Sequence, residues 1–197
     1  MAPPRKHSTD VILDAARTLV LTDGPRAASV AAIAEASGAP VGTLYHRFGN
    51  RNGVLTAAWL RALERFQERA IAAGEQTDPV EAGVAMARAS IEFATELPDD
   101  AMLLLNLRPS DLLDGGPDAD FRTRLDTMNA PLVARIRWIA AELLGADGER
   151  ELDAISRAVI DLPYAALRRH AHAPKLPGWL ADDLTATART LLTSYRR

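Results

Sequence analysis

The sequence predicts an all-α protein, a small head of three helices joined to a larger helical body, about nine helices in all. Three observations carry that expectation. Alanine, the best helix former, supplies 37 of the 197 residues and is spread along the whole chain. No stretch alternates apolar and polar residues at period two, and clusters of β-branched residues are missing. Glycine and proline fall at intervals that cut the chain into helix-sized pieces.

Each piece has its own local reason. Ser8 or Thr9 is a good N-cap for a first helix that ends at Gly24-Pro25, with Ile12, Ala15, Ala16, Leu19 and Val20 along one face. A short second helix begins at Ser29, turns Val30, Ile33, Ala34 and Ser37 inward, and stops at Gly38. A third spans about 40–47; Pro40 suits a first turn, where its missing N–H costs nothing. Asn50 caps a longer helix over 51–73. Beyond 74–79 come amphipathic helices at about 80–97, 98–107, 118–145, 149–172 and 179–195, separated by Pro98, the 109–117 loop, 145–148 and 174–177. Pro163 deletes a backbone donor inside 149–172 and is expected to kink it. The spans divide the chain into an N-terminal unit, 1–50, and a C-terminal unit, 51–197.

Composition excludes several classes. With no cysteine, the chain has no disulfide scaffold, thiolate metal site or cysteine nucleophile. No apolar run approaches the roughly 18 residues of a membrane span. The first ten residues carry no apolar core of a signal peptide, so a soluble cytoplasmic protein without membrane contact is expected. The net charge is −3, but residues 1–51 hold six basic and four acidic groups, giving +2 and leaving −5 for the rest. A mildly basic head on an acidic body suits a protein whose head alone meets a polyanion. Only Lys6 and Lys175 among the 23 basic residues are lysine, which with the alanine content reads as genomic codon bias.

Two short helices, 29–37 and 40–47, joined by Gly38-Ala39 form a helix-turn-helix pattern. Ala34 is small enough for close helix approach, and Gly38 can take the positive φ of a sharp turn. Val30, Ile33, Leu44 and Phe48 supply an apolar floor. Exposed on the second helix are then Val41, Gly42, Thr43, Tyr45, His46 and Arg47, with short side chains at the end where a recognition helix meets base edges.

Residues 9–55 resemble the DNA-binding domain of the TetR family of bacterial transcriptional repressors, through Ser29, Val30, Ile33, Ala34, Gly38, Gly42, Leu44, Tyr45, Phe48, Asn50 and Leu55. The resemblance covers about a quarter of the chain, and the length and helical body fit the family as well. Pro40 departs from the family's serine, Arg47 from its His or Tyr, and Arg51 from its Lys. Asn52 and Gly53 replace an acidic and a variable residue, which is expected to loosen the first turn of the fourth helix.

The resemblance implies phosphate contacts at Ser29, Tyr45 and Arg51, and a hydroxyl at a helix start, a phenol and a guanidinium are good phosphate partners. His46 and Arg47 are further phosphate candidates, one of which faces inward. Val41 and the Thr43 methyl can touch thymine methyls, the Thr43 hydroxyl a base edge, and Gly42 allows close helix approach or is simply a packing glycine. Arg5 and Lys6 read either as an arm on the DNA or as a solvated tail.

For the body the resemblance implies a homodimer through helices 149–172 and 179–195, and two half-sites require a dimer. Leu152, Ile155, Val159, Leu162 and Ala166 form one apolar stripe; Leu180, Leu184, Thr187, Leu191 and Leu192 form another, and both also fit an intramolecular core. An effector pocket between helices 80–145 and the start of the next is expected from Met86, Phe93, Met102, Leu105, Leu125, Met128, Trp138 and Tyr164. Soft methionine and aromatic walls suit an apolar or aromatic small molecule, with core packing the competing role for each residue.

No catalytic constellation, cofactor motif or metal site is expected. His170 and His172, two apart on a helix, point about 200° apart and do not share a metal easily. Asp99-Asp100 and Asp182-Asp183 read as helix N-terminal charges. The expected function is a ligand-responsive regulator, a repressor in the first instance, that binds a palindromic double-stranded operator as a homodimer. The alternative is a helical small-molecule-binding or interaction module that no longer binds DNA.

Overall fold

The computed structural model describes residues 8–171, 173 and 175–196. The described residues are helices and connecting turns without a strand. Arg5, Lys6 and His172 lie outside them.

The head assembles from local signals. Ser8 Oγ accepts the Val11 N–H at 3.2 Å and starts α1 (Thr9–Asp23). A 3-10 turn (Pro25–Ala27), not expected from the sequence, leads to α2 (Val30–Ser37), where Ser29 Oγ accepts the Ala32 N–H at 3.1 Å. Gly38 sits at φ 67°, ψ 8°, a left-handed conformation that lets the chain reverse into α3 (Val41–Phe48). Asn50 Oδ1 then accepts the Gly53 N–H at 2.9 Å and begins α4 (Arg51–Ala73). Ile12, Ile33, Leu44, Val54 and Leu55 are almost fully buried together. The head core is therefore completed by α4, and it runs on without a break into Leu103, Leu112, Leu113 and Phe121 of the body.

The first turn of α4 is not loose. A Cβ at position 53 would stand 1.8 Å from the Phe48 carbonyl oxygen, so Gly53 is what lets α4 start directly against the end of α3. Asn52 exchanges two hydrogen bonds with Asp114, its Nδ2 donating to the Asp114 carbonyl at 2.8 Å and its Oδ1 accepting the Asp114 N–H at 3.0 Å. The expectation of a weakened start at Asn52 and Gly53 is corrected by these two contacts, one of close approach and one of long-range pairing.

The body follows as α5 (Pro79–Glu96), α6 (Pro98–Asn106), the short α7 (Pro109–Leu112), α8 (Ala119–Leu144), α9 (Glu149–Ser156), α10 (Leu162–His170) and α11 (Leu180–Ser194). α5 is its axis, flanked by α4, α8, α10 and α11. The span expected as one helix over 149–172 is interrupted by a π-helical turn (Arg157–Asp161) and ends at His170. The cause is Pro163: it has no N–H to continue the α ladder, and the wide turn just before it lets Leu162 N–H reach the Arg157 carbonyl five residues back.

The two apolar stripes of the C-terminal helices are largely spent inside the chain. Ile155, Val159 and Leu192 are buried with Val80, Val84 and Ile139, while Leu180 and Leu184 are buried with Phe93 and Leu105. Thr187 is exposed. Among the described residues, no helix is long and apolar enough to cross a membrane.

Candidate nucleic-acid interface and effector cavity

α3 buries Leu44, packs Phe48 against the head core, and leaves Val41, Gly42, Tyr45 and His46 exposed. Val41 is 44% and Tyr45 53% exposed. Gly42 is exposed, and no heavy atom lies within 4 Å of where its Cβ would be, so it is not a packing glycine. Thr43 is half-buried beside it. His46 is exposed while Arg47 is half-buried and engaged with neighbouring groups. Ser29, exposed at the start of α2, already accepts one hydrogen bond and keeps its own proton to donate.

Arg51, expected at a phosphate, is engaged within the chain. Its Nε donates to the Ala28 carbonyl at 3.1 Å, one Nη to the Pro25 carbonyl, and the other to Asp114 at 2.9 Å. All three guanidinium nitrogens are occupied, so Arg51 ties the 25–28 turn and the 113–116 loop to the start of α4. Nothing local signals this role, because its partners are 23 or more residues away.

A second polar cluster joins head to body. Asp100, 1% exposed in the first turn of α6, accepts from Arg17 of α1 and from Arg65 of α4 at 2.8 Å. Arg17 also reaches Asp99 at 3.4 Å. Burial alone would raise the Asp100 carboxyl, but the hydrogen bonds from Arg65 and Arg17 outweigh it and hold the pKa below the ordinary 3.8. Asp100 is the helix N-terminal charge expected, and it is also the buried centre of an ion triad with Arg17 and Arg65.

In the body, α4, α5, α6 and α10 surround an apolar cavity of about 120 Å³, walled by Phe66, Phe93, Leu104, Leu105, Tyr164 and Leu167. Phe66 and Phe93 meet edge to face with centroids 5.5 Å apart. Of the residues expected to line a pocket, Phe93, Leu105 and Tyr164 converge here, and Met102 lines an adjoining cavity. The other four do not line these two cavities. Met86 is 2% exposed and fills the core between Val80 and Ile139. Leu125 and Met128 pack under the head against Phe121 and its neighbours. Trp138 packs on the body core beneath the Arg135 guanidinium, which stands 3.8 Å from its ring centroid. The three on α8 follow that helix, which packs mainly against α4, α5 and α9. Phe66 is a cavity residue that sequence reasoning misses, because α4 reads as a connector; the signal is that its apolar positions continue to Ala70.

Residues 12–58 match the family model of bacterial regulatory proteins of the tetR family. In fold the likeness extends over the whole chain. PfmR, a TetR-family transcriptional regulator from Thermus thermophilus, is 25% identical with a TM-score of 0.64 over 94% of this chain and 99% of that one. FadR from Bacillus subtilis, solved with stearoyl-CoA, is 16% identical with a TM-score of 0.66 over 95% and 97%. AibR, solved with isovaleryl coenzyme A and operator DNA, is 17% identical with a TM-score of 0.71 over 91% and 96%. No curated protein matches by sequence. The head thus matches the tetR family model in sequence, and the whole chain shares its fold with solved TetR-family transcriptional regulators.

Proposed function

We propose that this protein is a ligand-responsive repressor that binds a palindromic operator as a homodimer, with 1–50 as the DNA-binding unit and 51–197 as the effector and dimerisation unit. The observation that carries the reading is the open face of α3, where Val41, Gly42 and Tyr45 are exposed on a helix whose opposite side is anchored by Leu44. Set into a major groove, α3 would place Val41, Gly42 and Thr43 at base edges, with Ser29, Tyr45, His46 and Arg47 toward phosphates. Arg51 supports that face from behind.

The dimer would form through the outer sides of 149–172 and 179–195. Ile160 and Tyr164, one turn apart, line the apolar cavity and still remain 39% and 41% exposed, although the stripes themselves are buried within the chain. An effector in the body would change the spacing of the two heads, shifting the population away from the DNA-competent form. The continuous α4 is the main lever, and the Asp100 triad and the Asn52–Asp114 pairing are the points where body and head move together. FadR and AibR bind acyl-coenzyme A molecules, which supports a small-molecule effector with an apolar acyl-like part.

The test is selection of bound fragments from a random-duplex library by the purified protein at about physiological salt, followed by sequencing. An enriched palindrome with half-sites about one helical turn apart is the expected result. No enrichment from folded dimer overturns it and leaves a helical ligand-binding module that no longer binds DNA.

A further inference from the structure

The apolar cavity has a neighbour that adds polar and charged groups to an apolar wall. Ala101, Leu105 and Leu167 line both it and an outer cavity of about 280 Å³, whose wall also includes Thr95, His170 and Lys175. In the inner cavity the polar atoms are already paired: Ser90 donates to the Met86 carbonyl at 3.4 Å, and Tyr164 Oη accepts from Arg168 at 2.8 Å and donates to the Leu105 carbonyl at 3.4 Å. Nothing there asks for a polar ligand atom. The outer cavity is different: Lys175 is the one charged side chain along either wall among the described residues, and His170 lines the same wall. No carboxylate lines either cavity among the described residues.

Volume limits the apolar part. An apolar cavity of about 150 Å³ takes up a benzene ring, so about 120 Å³ is room for a ring or a short branched chain. Resting on the reading of the body as an effector unit, we propose that the paired cavities bind a compact organic anion, with a hydrocarbon body of about six heavy atoms between Phe66, Phe93 and Leu104 and a negatively charged head toward Lys175 and His170. The head is the carboxylate of a free acid or the phosphates of its coenzyme A thioester, which present the same charge to the same cations.

Calorimetric titration of the full chain with 4-methylpentanoate, its coenzyme A thioester, 4-methylpentanol, 4-methylpentylamine and hexadecanoate tests this. At least one of the two short anions is expected to bind roughly tenfold tighter than the alcohol, the gain of one charge-assisted hydrogen bond, with the amine weakest. Which of the two binds identifies the source of the charge. Lys175→Gln, at an exposed position, is expected to erase the preference for the anion while leaving alcohol affinity unchanged, with circular dichroism confirming the fold. Equal binding of anion and alcohol, or a preference that survives Lys175→Gln, overturns the charged head but leaves the effector reading standing. Tighter binding of hexadecanoate overturns the size limit. Binding of no member of the series overturns both the proposal and the use of this cavity as an effector site.

Discussion

Head and body are built from the same helical material, yet they keep their candidate sites in opposite places. The head spends its apolar residues internally on Ile12, Ile33, Leu44, Val54 and Leu55 and turns a polar and aromatic face outward on a single eight-residue helix. The body turns its stripes inward around α5 and leaves an unfilled space among four helices, with walls drawn from positions as distant as Phe66 and Leu167. A contact surface held by consecutive residues keeps a recognisable sequence pattern, whereas a cavity assembled across a hundred residues does not. That is why the family model covers residues 12–58, while the whole-chain likeness is one of fold at 16–25% identity.

The comparison breaks most severely where the two regions are tied together. Asp100→Ala leaves Arg17 and Arg65 without their shared buried carboxylate and is expected to cost about 3 kcal/mol, measured by denaturant unfolding, because breaking a buried pair strands a charge. The pH dependence follows in sign. A carboxyl held below 3.8 contributes stability that is fully present above that value and is lost as pH falls through its lower native pKa. Asp100→Asn should therefore flatten the acid limb of the stability curve, and an unchanged limb would remove the triad from the account.

Gly53→Ala separates the regions by a smaller effect. Its Cβ cannot stand 1.8 Å from the Phe48 carbonyl, so α4 must shift off α3 at about 2 kcal/mol of overpacking. Loss of duplex binding is expected while the body still melts cooperatively; retained binding at full affinity would show that the α3–α4 junction does not set the head.

Within the head, the smallest changes sharpen the division between positioning and readout. Tyr45→Ala is expected to weaken binding to all duplexes alike, by about 1 kcal/mol as a lost phosphate contact. Thr43→Ala should instead reorder affinities among operator variants, since a base contact discriminates by about 1–3 kcal/mol. Competition binding against a panel of single-base operator variants distinguishes the two patterns. An identical ranking for Thr43→Ala removes that residue from base readout.

What was legible in the sequence was what acts over a few residues. Ser8, Ser29 and Asn50 each accept the N–H three positions into their own helices, Gly38 turns the chain in place, and the apolar spacing of α3 already implies which side Leu44 takes. These interactions close within one turn of helix, so their residue types suffice to foretell them. Tertiary structure alone decided that the C-terminal stripes serve the core, that Leu125, Met128 and Trp138 face away from the cavity, and that Arg51 and Asp100 are framework groups rather than surface charges. An amphipathic pattern says that a face will be buried without saying against what. An arginine or aspartate shows its charge but not its partner, because the partner is brought to it from 23 to 83 residues away by packing that no local pattern contains.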